Sequence, residues 1–126
     1  MKLGVFTCLM SQRPLGEALD YFSSLGIQMA EVGCGGTPGD AHCRPEELME
    51  DPAALKAFQE AFDSRGMEIS ALSCHGNPVH PQADRAQYYD KVIRNAILLA
   101  EKLGLHRINT FSGCPGDHPG ARYPNW

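Results

Sequence analysis

Side chains that could take part in chemistry gather in three segments rich in glycine, proline, cysteine and histidine. The segments run from Cys34 to Pro45, from Cys74 to Pro81 and from Ser112 to Gly120. Together they hold four of the five histidines and four of the five cysteines of the chain. Imidazole and thiol groups bind metals, transfer protons and act as nucleophiles. We therefore expect a functional site where these segments meet.

Two kinds of chemistry can be considered for these groups. A zinc site could be assembled from Cys114 and His118 together with Cys74, His75 and His80. The chain contains no Cys-x-x-Cys pair, however, and adjacent residues rarely bind the same metal, so buried thiols and solvent-facing imidazoles are favoured. A nucleophilic pair of Cys74 with His75 or His80 would need a third residue that orients the histidine. The sequence indicates no such residue.

Two further features could contribute to a site. The segment Gly35–Gly39 could hold a phosphate through its backbone N–H groups, but its spacing matches neither a P-loop nor a dinucleotide-binding motif. A mobile loop explains this segment equally well. Glu31 lies among Ala30, Val32 and Gly33, where an unpaired carboxylate would be costly to bury. It either pairs with an arginine or lysine, or points into an open site.

A repeated unit of helix, glycine and short apolar strand must position these residues. Apolar residues with the helical period precede Gly26, Gly66 and Gly104, and glycine can adopt the left-handed conformation that ends a helix. Asp51 and Asp84 occupy positions typical of residues that cap the second and third helices. The predicted strands are Lys2–Thr7, Ile27–Gly33, Glu68–Ser73 and Arg107–Phe111.

Strands that alternate with helices predict an α/β protein with a parallel sheet, in strand order 1-2-3-4 and with three helices on one side. A flavodoxin-like sheet has the same alternation, but no phosphate-binding turn or acidic pocket follows the first strand. We predict a partial (β/α)8 TIM barrel, a half-barrel, because a complete barrel needs at least about 200 residues. The side chains expected in its interior include Val5, Glu31, Ala71 and Asn109.

The charge, the hydropathy and the cysteine content of the chain argue against some classes of function. The net charge is −4 and no two Lys or Arg residues are adjacent, which argues against a nucleic-acid partner. No stretch is long and apolar enough to predict a membrane span. An odd number of cysteines without a secretory signal is typical of reduced thiols in the cytoplasm.

The strand and loop sequences resemble the sugar phosphate isomerase/epimerase family of the xylose isomerase-like TIM barrel superfamily. The resemblance rests on residues 29–33, 69–78 and 107–113, and its most specific part is Ser-Cys-His-Gly-Asn-Pro at 73–78. It covers the whole chain, so that residues 1–126 correspond to the N-terminal half of such a barrel.

The resemblance implies metal-dependent proton transfer between adjacent carbons of a sugar or sugar phosphate. A divalent metal (Mn, Mg, Co or Zn) would polarise the sugar oxygens. The family's metal ligands come from strands five to eight, so we expect no metal site and little activity in this chain alone. No catalytic residue is identified. The substrate-binding residues that the resemblance implies are Phe6, Glu31, His75, Asn109 and Phe111.

Two alternatives remain beside this expectation, and a third, an endonuclease IV-like repair enzyme, is disfavoured. The chain could be a self-associating half-barrel that acts as a binding module, or a metal-dependent lyase or hydrolase of the same superfamily. The endonuclease IV-like branch has metal-binding histidines after the third and fourth strands; His75 matches the first, but residues 109–113 contain no histidine. Because the chain stops at Trp126, soon after the fourth strand, we expect a fragment that associates with itself or with a missing C-terminal half.

Overall fold

Four short parallel strands form the centre of the molecule, for which a computed structural model describes residues 1–118 and 120–125. The strands lie in the order β1-β2-β3-β4. They are β1 (Gly4–Phe6), β2 (Met29–Gly33), β3 (Glu68–Ser73) and β4 (Ile108–Asn109). The predicted α/β class, strand order and parallel pairing are confirmed. Pro119, within the third chemically rich segment, and Trp126, at the end of the chain, lie outside the described residues.

The strand bounds match the prediction best in the middle of the sheet. β3 has the predicted bounds, whereas the other three strands are shorter than expected. β1 and β4 each pair with a single neighbour, so fewer of their residues take part in a ladder. Before β2, the N–H groups of Gln28 and Met29 both donate to the carbonyl of Leu3, which delays the start of regular pairing.

Helices fill the connections between the strands. They are α1 (Leu15–Ser24), α2 (Pro45–Glu50), α3 (Pro52–Asp63) and α4 (Ala83–Leu103), and a 3-10 turn, Thr7–Met10, follows β1. The expected number of three helices was wrong because α2 is an additional helix of six residues. It begins with Pro45, followed by two glutamates in its first turn, which suits a helix N-terminus. Six residues are too few to show a helical period in the sequence.

The helix ends largely follow the sequence signals. Gly26, Gly66 and Gly104 have φ of 75°, 61° and 68°, the left-handed conformation predicted for them. Asp51 caps α3, because its carboxylate accepts a hydrogen bond of 2.8 Å from the N–H of Ala53. Asp84 does not cap α4; the helix begins at Ala83 with Gln82 in the cap position, and Asp84 lies in the first turn.

One hydrophobic core lies between the sheet and helices α1, α3 and α4. Its fully buried strand residues are Ala30, Val32 and Leu72. Val5 was expected in the barrel interior, but it packs against this core instead, because the register pairs it with Ala30 and pairs Phe6 with Glu31. In the described part of the chain, no helix is both long and apolar enough to cross a membrane.

Candidate functional site

The face of the sheet opposite the core carries the polar strand residues. Side chains alternate between the two faces of a strand, so the neighbours of core residues Val32 and Leu72 point away from the helices. In the register, Phe6 is paired with Glu31, and Ser73 with Asn109. We call this surface, at the carboxyl ends of the strands, the open face; it comprises Phe6, Glu31, Ser73, His75, Asn109 and Phe111.

Glu31 is held by a hydroxyl group rather than by a cation. Its half-buried carboxylate accepts a hydrogen bond from the hydroxyl of Ser73, which is fully buried on the neighbouring strand. None of the ion pairs within residues 1–118 and 120–125 involves Glu31. A carboxylate can accept about four hydrogen bonds. Glu31 therefore keeps acceptor positions for the hydroxyl groups of a ligand.

His75 lies between two aromatic rings. Its imidazole stacks on Phe111, with ring centroids 4.7 Å apart and an interplanar angle of 13°. Phe6 meets the same imidazole edge-on, with a centroid distance of 6.4 Å. Phe111 is 45% exposed. These contacts fix the plane of the imidazole and leave an apolar surface beside a polar donor and acceptor.

The five residues predicted to bind substrate thus share one face, although not all of them touch. Phe6, His75 and Phe111 form one cluster, and Glu31 is the register partner of Phe6. Asn109 is exposed and lies beside Ser73 in the ladder between β3 and β4. Ser73 was not predicted as a site residue. The signal that could have revealed it is a polar residue at the carboxyl end of a strand, directly after the apolar pair Ala71 and Leu72.

The segment after β2 is fixed to the backbone of His75. The N–H of Thr37 donates to the carbonyl of His75 at 2.7 Å. A Cβ on Gly36, whose φ is 71°, would lie 2.2 Å from that same oxygen. Gly35 and Gly39 donate to backbone carbonyls within the segment. Three of its four N–H groups are therefore used inside the protein, which disfavours both a phosphate cradle and a mobile loop.

Asn77 joins the segments that follow β3 and β4. Its buried amide nitrogen donates to the carbonyl of Cys114 at 2.7 Å. Its amide oxygen accepts from the N–H groups of Cys114 at 3.1 Å and of Val79 at 3.2 Å. The prediction from sequence missed this role, although Asn-Pro is a recognised turn signal. The amide holds together the two loops that carry His75 and Phe111.

The cysteines and histidines do not assemble as the zinc or nucleophile hypotheses require. Cys74 is part of the core, whereas His75 belongs to the open face. The Nδ1 atom of His80 accepts from the N–H of Gln82, and that of His118 from the N–H of Gly120. Among the residues that the structure describes, no three Cys, His, Asp or Glu side chains are placed to hold a metal ion.

Comparison with known proteins gives little further information. No family model matches the chain. Over 126 residues it is 30% identical to the uncharacterized protein YfiH of Bacillus subtilis. The chain spans 40% of the length of that relative, whose name states no activity.

Proposed function

We propose that this chain forms the substrate-binding half of a sugar or sugar phosphate isomerase or epimerase. The observation that carries the proposal is the open face, where a carboxylate and an imidazole lie with two phenyl rings at the carboxyl ends of parallel strands. Sites in parallel α/β proteins form at that end of the sheet.

The chemistry of the open face suits a carbohydrate. Sugars present hydroxyl groups together with apolar C–H surfaces, and Glu31 can accept hydrogen bonds from the hydroxyls. The ring of Phe111 offers an apolar surface for the C–H groups. His75 can donate to a hydroxyl or a phosphate oxygen, and Asn109 adds an exposed amide. Carboxylate and imidazole groups are also those that transfer protons in such reactions.

The divalent metal that the resemblance implies does not fit the donor set of this chain. The open face offers the carboxylate of Glu31, the imidazole of His75 and the amide of Asn109, and no three-ligand cluster exists within the described ranges. We therefore propose that this half binds and orients the substrate, and that the chain alone does not catalyse the reaction. No proton-transfer step is assigned to these residues.

The architectural part of the proposal is that the sheet is one half of a (β/α)8 barrel. Sequential parallel strands with the helix-packed core on one face support it, as does similarity to a protein that is more than twice as long. Further strands, from another segment or from a second copy, would cover the open face. We also propose that the chain works in the cytoplasm, because its five cysteines are free thiols.

Calorimetric titration of the chain with aldose phosphates, ketose phosphates and the matching free sugars tests this proposal. We expect binding with Kd near 1 mM, and about tenfold weaker binding for Glu31→Gln and for His75→Ala, since each removes about one polar contact. His106→Ala is the matched control, because His106 is exposed and precedes β4 at the opposite end of the strand. Equal affinity of all variants, or no binding, would contradict the proposal. Turnover of a lyase or hydrolase substrate would favour those alternatives.

A further inference from the structure

Two cysteines that play no part in the proposed function lie next to each other behind the open face. Cys34 follows the last residue of β2 and Cys74 follows the last residue of β3. Because Gly33 and Ser73 are register partners, the two cysteines occupy neighbouring positions at the ends of adjacent strands. Both are buried in the hydrophobic core.

The positions suit a covalent bond between the two sulfur atoms. Neighbouring strands lie about 4.8 Å apart, and disulfides join Cα atoms separated by about 4.4–6.8 Å. Both side chains lie in the same buried core, on one face of the sheet. The thiol of Cys34 donates to the carbonyl oxygen of Ser73, the residue before Cys74, at 3.4 Å. Rotation of the Cys34 and Cys74 side chains can then bring the two sulfur atoms together.

A cleft on the helix side of the sheet leads to this pair. It has a volume of about 230 Å³ and lies between α2, α4 and the segment after β2. We call it the helix-side cleft; its lining includes Cys34, Gly35, Arg44, Tyr88, Lys91 and Asn95. Cys34, of which 2% is exposed, therefore forms part of the wall that a small molecule such as hydrogen peroxide meets in the cleft, and Cys74 is next to it on β3.

We propose that Cys34 and Cys74 form a modification site at which a peroxide converts the two thiols to an intramolecular disulfide. One thiol attacks hydrogen peroxide: an S–O bond forms, the O–O bond breaks, and the leaving hydroxide takes the thiol proton and becomes water. The other thiol attacks the resulting sulfenic acid: the S–S bond forms, the S–O bond breaks, and a second water leaves. The peroxide is reduced as the thiols are oxidised.

The electrostatic surroundings of the buried thiols differ. The thiol of Cys34 and, after it, the hydroxyl of Thr110 lower the pKa of Cys74. Burial raises the pKa of Cys43 to about 12, so this third buried thiol stays protonated near neutral pH. Cys74 lies between Ser73 and His75, so the disulfide would tie β2 to β3 directly beside the open face.

Peptide mapping after treatment with dilute hydrogen peroxide and blocking of free thiols tests the proposal in the unmodified chain. The expected product is a peptide pair cross-linked through Cys34 and Cys74, with two hydrogens lost and with reversal by a reducing agent. Formation should be at least about tenfold faster in the folded chain than in urea, because the fold holds the thiols together.

Matched variants separate this pair from the other thiols. Cys43→Ser should keep the cross-link and Cys74→Ser should lose it. Replacing Cys8 and Cys114, which are half-buried, by serine should leave its yield unchanged. A dominant link from Cys34 to Cys43, oxidation without any link, or equal rates with and without urea would overturn the proposal. The mapping of the unmodified chain decides the question even if a variant does not fold.

Discussion

At the scale of single residues, the hydroxyl group of Ser73 stabilises the half-buried carboxylate of Glu31. Burying part of a carboxylate is costly unless hydrogen bonds replace its hydration. Ser73 provides such a bond to Glu31 from a position 42 residues away in the sequence. The strand pattern indicated that Glu31 is unusual. Its partner follows from the register between β2 and β3, which no local pattern specifies.

Gly36 allows the closest backbone approach at the site, and its replacement should disturb His75. Gly36→Ala places a methyl group against the carbonyl oxygen of His75, whereas the methyl group of Gly39→Ala meets no atom within 4 Å. Both glycines have similar positive φ, 71° and 75°, so both variants bear the same conformational cost of about 1–2 kcal/mol. We expect Gly36→Ala to lower the free energy of unfolding, measured in urea, by at least about 1 kcal/mol more than Gly39→Ala.

Nuclear magnetic resonance of the His75 ring gives a second measurement. Its signals should shift in Gly36→Ala and stay in place in Gly39→Ala. Equal losses in the free energy of unfolding, together with unshifted His75 ring signals, would show that the contact between Gly36 and His75 does not contribute to stability.

At the scale of elements, the sequence predicted helix ends well, because they depend on local residues. It predicted most strand ends less well, because they depend on pairing with neighbouring strands. The glycines after α1, α3 and α4 adopt the predicted conformation because a left-handed helix end depends on one residue. β3 was predicted with its correct bounds, whereas β2, which also has strands on both sides, begins later than predicted because Gln28 and Met29 both donate to the carbonyl of Leu3. The lengths of β1 and β4 depend on how far their neighbours extend. For α2, a terminal proline and two glutamates were the only local signals.

The helix caps allow a direct comparison of two aspartates with similar sequence signals. Asp51→Ala removes the carboxylate that accepts from Ala53, and we expect a loss of about 1 kcal/mol in the free energy of unfolding. Asp84→Ala removes a charge from the first turn of α4 but no cap, so the loss should be about 0.3 kcal/mol. Urea unfolding followed by circular dichroism measures both. A larger loss for Asp84→Ala would reverse the assignment of the cap.

The candidate site was predicted only in part. Phe6, Glu31, His75, Asn109 and Phe111 were expected together from a resemblance, and the parallel register does place them on one face. The hydrogen bonds of Asn77 to Cys114 and the close approach of Gly36 to the carbonyl of His75 were not predicted. Both depend on contacts between loops that follow different strands, which neither periodicity nor residue spacing encodes.

At the scale of the whole molecule, the sheet leaves one face and two edges for further contacts. β1 and β4 form the edges, and exposed edges favour pairing with other strands. Phe111 contributes an exposed ring to the open face. We therefore expect the isolated chain to self-associate at concentrations of about tens of micromolar. Sedimentation velocity measures this association.

A matched pair of variants tests whether the open face carries this association. Phe111→Asp should shift the distribution towards monomer, because it places a charge in the contact. Tyr88→Asp alters an aromatic residue of similar exposure on α4, at the helix-side cleft, and should leave association unchanged. A stable monomer for the unmodified chain, or equal effects of the two variants, would argue against association through the open face.

We propose that the substrate binds at the open face and not in the helix-side cleft. Amide chemical-shift mapping during titration with a sugar phosphate measures this most directly. We expect the perturbed amides to cluster at Glu31, Ser73 and His75, at the carboxyl ends of the strands. Perturbations centred on Tyr88 and Lys91 in the helix-side cleft, or spread evenly over the surface, would contradict it.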